Sequence, residues 1–156
     1  MSEIAEKYLI QLQEFFARDV AKKGTHPLRD GIEIAIWVDE KGPATLTKKG
    51  GVPIILNQAP KKPDMTFWFT AGAMQTLVDT KTDEVGDIGV AILQLLAHSD
   101  DSQRVKANVS IGLFDLLRNG YLGVIPLGGP TVMKFLASKG FTGMGKIKDA
   151  ISRFRE

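Results

Sequence analysis

The sequence contains no cysteine, which excludes disulfides, thiolate metal ligands and a thiol nucleophile. Histidine is nearly as scarce, with only His26 and His98. Neither has the Cys or His-x-x-x-His partner that a zinc site needs, so no metal and no cofactor is expected. No apolar run approaches the about 20 residues that span a bilayer. Charged residues make up 24% of the chain with a formal net charge of +2, far from the concentrated positive charge of a dedicated nucleic-acid binder. Met1 to Lys7 carries Glu3 and Glu6 and lacks a basic stretch leading into an apolar one, so no signal peptide is expected. Together with the missing cysteines, this makes the cytoplasm the expected compartment.

What is present is ordinary globular material. The 156 residues, 44% of them hydrophobic, suit one domain with one substantial core. Ile4, Tyr8, Leu12, Phe15, Phe16 and Val20 fall three or four apart and predict one helix over Ser2 to Lys23, capped by Ser2 and stopped at Gly24. The period then changes to two. Ile32, Ile34, Ile36 and Val38 predict a strand with one apolar face. Lys41-Gly42-Pro43 reads as a turn, Ala44 to Thr47 as a returning strand, and Val52 to Leu56 as an edge strand because of Pro53. Beyond a Pro60 to Pro63 linker, Met65, Phe67 and Phe69 form another apolar strand face. Thr70 is placed to cap a helix over Ala71 to Asp79. A second helix is expected over Asp87 to His98, a strand over Arg104 to Ile111, and helices over Leu113 to Leu117, Thr131 to Lys139 and Lys146 to Phe154. Strands clustered early instead of alternating with helices favour an α+β fold with a mostly antiparallel sheet.

The search for chemistry finds no catalytic set. His98 at a helix end reads as a dipole-compensating residue. Asp83, Glu84 and Asp87 sit at a helix start and Asp100 and Asp101 in a turn, without the burial that tunes a catalytic carboxylate. Gly140 to Lys146 has the G-x-x-x-x-G-K spacing of a phosphate loop, but Ile147 stands where the magnesium-binding Ser or Thr belongs, and the preceding residues look helical. Gly128-Gly129-Pro130 is explained by proline at a helix start. Lys22-Lys23, Lys48-Lys49 and Lys61-Lys62 all fall in turns or helix ends, where they read as solubilising charge or, on one shared face, as a contact for an anionic membrane surface.

The apolar content of the second half is more informative. Gly120-Tyr121-Leu122-Gly123-Val124-Ile125-Pro126-Leu127 is rich in apolar residues yet weakly periodic, and reads as a loose cover over an apolar cavity. Pro63-Asp64-Met65-Thr66-Phe67-Trp68-Phe69-Thr70, leading into the helix through Met74, Leu77 and Val78, resembles the sterol-carrier-protein type 2 domain. Arg104 to Gly112, entering an apolar helix, resembles that family's following strand, and the initial helix and Ile32 to Thr47 hairpin stand in the family's order. The resemblance covers residues 2 to 140 as a pattern. Leu113 departs from it where family members often carry an acid, and the segments Gly51 to Pro60 and Asp79 to Asp101 look long. The resemblance implies a twisted sheet of about five strands covered on one face by helices, with an apolar tunnel between, holding a fatty acid, sterol, acyl or prenyl lipid without catalysis.

On that reading residues 1–140 form a single lipid-binding domain and 141–156 a short helical extension. The tunnel lining expected from the strand faces is Ile34, Ile36, Phe67, Phe69, Val109 and Ile111. From the helical stripes it is Leu77, Ile92, Leu95, Leu96, Leu116, Val132, Met133 and Leu136. For each of these taken singly, residue type favours ordinary core over ligand contact. The expected partner is a lipid-like small molecule, with no nucleic acid. The rival reading makes the same fold an accessory subunit of a lipid or quinone biosynthesis assembly, with a protein partner or a second copy of the chain docked on it.

Overall fold

The computed structural model describes residues 2–140. The expected extension over 141–156, and all but the first residue of the Gly140 to Lys146 run, lie outside the described residues. The chain is α+β. It opens with α1 (Glu6–Phe16) and α2 (Asp19–Gly24), followed by strands β1 (Glu33–Val38), β2 (Lys41–Lys49), β3 (Val52–Leu56) and β4 (Met65–Phe69). Helices α3 (Ala71–Asp79) and α4 (Val85–Leu96) precede β5 (Val105–Val109), and α5 (Leu113–Arg118), α6 (Tyr121–Leu127) and α7 (Gly129–Ser138) complete it.

The five strands form one sheet in the order β3-β2-β1-β4-β5. Three pairings are antiparallel, but β1 and β4 run parallel, so the sheet is mixed. The reason is the path of the linker after β3, which crosses the sheet and delivers β4 to the far side of β1. Three bonds hold it there. Thr45 donates its hydroxyl to the Gln58 carbonyl at 2.6 Å, the Lys61 amide donates to the Glu33 carboxylate at 3.1 Å, and the Asp64 amide donates to the Glu33 carbonyl at 2.8 Å. Ala35, Thr45 and Thr66 are therefore buried on the side of the sheet away from the helices.

The other side of the sheet is apolar in nearly every row. Ile34 aligns with Leu46 and Met65, Ile36 with Ala44 and Phe67, and Phe69 with Val38 and Val105. Leu12 of α1 and Met74 of α3, 1% and 0% exposed, close over the middle strands. Burial of a side chain of this size stabilises by about 1.5–3 kcal/mol. Pro53 lies on the edge strand β3, as its missing N–H requires.

Several local expectations change. The single N-terminal helix is two helices, because Arg18 turns extended between them and its guanidinium binds the Val78 and Thr80 carbonyls at 2.7 and 3.2 Å, capping the end of α3. Ser2 bonds the Ile4 amide ahead of the helix instead of capping it. The hairpin turn falls at Asp39-Glu40, both with positive φ, and not at Lys41 to Pro43. There the Asp39 carboxylate receives the Ala71 amide at 2.8 Å, while Thr70 caps the same helix by accepting from Ala73. Tyr121 to Leu127 forms the helix α6, which runs through Pro126 in its last turn at the cost of that residue's N–H bond.

Lys48 is the largest departure. It is 6% exposed, not a surface charge, and its ammonium donates to the carbonyls of Thr25, His26 and Leu28 at 3.0, 2.8 and 2.9 Å. All three of its N–H groups are thereby used. The same loop receives the C-terminal helices: Arg29 donates its amide to the Asn119 carbonyl at 2.9 Å. Gly120, at φ +89°, approaches so closely that a Cβ there would overlap the Pro27 carbonyl.

Lys48→Met keeps the stem and orphans three carbonyls, so it is expected to lower unfolding free energy by about 3 kcal/mol. Gly120→Ala combines a left-handed backbone with backbone overlap and is expected to cost about as much. Urea unfolding of both variants checks this; a loss under about 0.5 kcal/mol, the usual surface range, would remove the role assigned here.

Candidate ligand-binding site

The expected lining residues are distributed over three packed apolar clusters. Ile34 and Ile36 lie in the first, with α1, Met74 and the β1–β3 face. Leu77 and Leu95 lie in the second with Phe15, Val20, Ala73, Ile88 and Val105, and Ile92 and Leu96 pack half-buried against it. Phe67 and Phe69 bridge these two clusters. Val109 and Leu116 form the third with Leu122, flanked by Met65, Ile111, Tyr121 and Ile125.

The α7 stripe is divided. Val132 is buried beside Gly89 and Gly128, where α4 and α7 meet through glycine, and Leu136 is half-buried. Met133 is 40% exposed and faces outward, against the expectation that it lines the interior. Met133 lies about 100° round the helix from Val132 and falls outside the stripe that α7 buries on α4.

The described residues form open grooves, two of which concern the candidate site. One, of about 440 Å³, lies between α3 and α4, with Thr76, Thr80, Asp87, Gln94, His98 and Gln103 giving it a polar wall over Ala91 and Leu95. His98 accepts the Asp100 amide on Nδ1 at 3.0 Å, which leaves Nε2 as its donor. The other, of about 880 Å³, runs along the ends of β4 and β5 past Trp68, Arg104, Lys106 and Asn108, with Asp39, Glu40 and Asp101 at its margin. Of the expected lining residues, Leu95 borders the first groove and Phe69 the second.

The acidic clusters are engaged locally. Asp87 receives the Thr82 hydroxyl at 2.8 Å. Asp100 receives both the hydroxyl and the amide of Ser102, bonds that hold its carboxyl below the usual carboxylate range. Among the described residues, no three His, Asp or Glu side chains converge to hold a metal ion.

The polar group nearest the third cluster was not legible in the sequence. Tyr121 donates its hydroxyl to the Asp64 carboxylate at 2.7 Å, and Asn119 donates to the same oxygen at 3.3 Å. The Ser110 amide donates to the Asp64 carbonyl at 2.8 Å. This ties the start of β4, the end of β5 and the α5–α6 junction together across separations that no local pattern reports. Burial, reinforced by the adjacent carboxylate, pushes the Tyr121 hydroxyl well above the ordinary phenol value. Trp37 and Trp68 also align in register across β1 and β4 on the side of the sheet away from the helices, with Lys106 next in the row.

No family model, no curated protein and no solved structure matches the chain.

Because Tyr121 holds its proton to a higher pH folded than unfolded, its contribution is complete below the ordinary phenol value and declines as pH rises past about 10. The stability advantage of wild type over Tyr121→Phe is expected to be about 1–2 kcal/mol near pH 8 and to shrink by about pH 11. Urea unfolding at both values measures it, and an advantage that stays constant across that range would refute the buried hydrogen bond.

Proposed function

We propose that the chain is a non-catalytic module that binds or transfers an apolar, lipid-like ligand held between the sheet and its helices. The observation that carries the reading is the construction of the third cluster. It joins the apolar sheet face at Met65 and Val109 to a roof of two short helices, α5 of six residues and α6 of seven. Helices of that length have little intrinsic stability and depend on their packing, so this roof is the part of the interior that opens at least cost. Half-buried Ile111, Tyr121 and Ile125 form its rim.

A ligand tail entering there replaces side-chain contacts with its own and gains about 0.8 kcal/mol per buried methylene. A long acyl or prenyl chain needs no specific polar partner on those terms. The reading also agrees with the sterol-carrier-type resemblance of the sequence, and it assigns no catalytic residue. A second reading makes the chain an accessory subunit in a lipid or quinone assembly.

Organic extraction of purified protein followed by mass spectrometry is expected to release a lipid, and delipidated protein is expected to take up a fluorescent fatty acid. Failure of both would refute ligand binding and leave the accessory reading in its place.

A further inference from the structure

We infer that α5, α6 and α7 form a docking surface for an anionic lipid bilayer. Eight large hydrophobic residues are exposed among the described residues, and five of them, Leu113, Phe114, Leu117, Leu127 and Met133, lie on these three helices. Phe114 and Leu117 stand out most, at 74% and 62% exposed, one turn apart on α5 and therefore on one side of it. Leu116, between them, is 2% exposed and anchors the helix to the third cluster. The helix is thus fixed by one side and presents apolar side chains on the other.

The charge of the surface selects the partner. From Leu116 to Gly140 the chain has no Asp or Glu, while Arg118, Lys134 and Lys139 supply cations. Two of these cations sit beside exposed or half-exposed rings: the Arg118 guanidinium is 6.0 Å from the Phe114 ring and the Lys139 ammonium 5.7 Å from the Phe135 ring. An aromatic body with a cation at its edge suits the boundary between acyl chains and anionic headgroups. The carboxylates beside these helices are engaged: Asp115 holds Arg118 at 3.0 Å, and Asp64 accepts from Tyr121 and Asn119 at 2.7 and 3.3 Å.

A stable protein interface takes about 800 Å² per partner from about 20–30 residues, and a few separate apolar side chains on three short helices do not supply it. A bilayer needs only shallow insertion of such groups together with cationic contact. Lys48, which the sequence pairs with Lys49, takes no part in this surface, since it is buried in the interior. The surface is the outer side of the α5 and α6 roof whose inner side covers the proposed ligand site, and it would bring that roof to the membrane.

The test is sedimentation of the full chain with vesicles of equal parts phosphatidylcholine and phosphatidylglycerol, against vesicles of phosphatidylcholine alone. Binding is expected to the anionic vesicles and to weaken with salt. Phe114→Ser with Leu117→Ser is expected to lower partitioning by about tenfold or more, and Lys134→Glu with Lys139→Glu by about fivefold or more. The charge pair lies at exposed positions on α7 and just past its end, so it keeps the test decisive should the α5 pair disturb folding, which circular dichroism would report. Absence of wild-type binding, or binding indifferent to both pairs, overturns the surface. So does concentration-dependent self-association that the α5 pair abolishes without any vesicle binding. Fatty-acid uptake measured without vesicles separates the two ideas: uptake without vesicle binding removes this surface alone, and vesicle binding without uptake removes the ligand site alone.

Discussion

The arrangement depends on one buried cation. Lys48 points from β2 to the helix-facing side of the sheet, where every neighbour in its face is apolar, and its ammonium has only backbone carbonyls for company. A charge in such a place is tolerable only when each N–H finds an acceptor, and the loop from Thr25 to Leu28 provides three. That loop carries the end of α2 into β1, so the lysine fixes how the N-terminal helices sit on the sheet. Gly31 returns the connection by donating its amide to the Lys48 carbonyl at 2.9 Å. The C-terminal helices then use the loop as their own support, through Arg29 and Asn119 and through the close approach of Gly120 to Pro27. Three parts of the chain distant in sequence meet at one set of carbonyls.

A second constraint comes from the linker after β3. By crossing the side of the sheet away from the helices and bonding to Thr45 and Glu33, it places β4 parallel to β1 and leaves β5 as the far edge. The helices that follow β4 and β5 therefore all return to the apolar side. The apolar clusters are consequences of that topology as much as of composition. The roof over the third cluster falls to α5 and α6 because they are the helices that leave from the β5 edge.

The elements legible in the sequence were those whose signal is local. The alternation through Ile34, Ile36 and Val38, the proline that marks β3 as an edge, and the Thr70 cap of α3 each depend on a few adjacent residues. What the sequence concealed depends on distant partners. Nothing near Arg18 breaks the N-terminal stripe; the break follows from carbonyls at Val78 and Thr80. Lys48 has the same neighbours as any solvent-facing Lys-Lys pair, and only its face in β2, together with the carbonyls opposite, makes it structural. The parallel β1–β4 pairing has no periodic signature at all. Of the candidate lining, the strand residues could be assigned a face from alternation, whereas Met133 could not, because a short helix packed on one neighbour has a narrower buried stripe than its composition suggests.

The distribution of packing has a consequence for where the molecule yields. Around the first cluster, Leu12, Met74 and Val38 are each 1% exposed or less, inside a layer closed by a strand on either side of β1 and by α1 and α3. The third cluster has three buried members, and its flanking residues all retain solvent contact. Local opening free energy follows the amount of buried apolar contact that opening breaks, so α5 and α6 separate from the sheet before α1 or α3 does. The Asp64–Tyr121 bond opposes that separation from the side of β4. With Asn119 donating to the same carboxylate oxygen and Arg29 donating its amide to the Asn119 carbonyl, it fixes the shared end of those two helices. An apolar ligand that enters at this roof works against one hydrogen-bonded hinge and a few side-chain contacts, not against the core that the buried lysine secures.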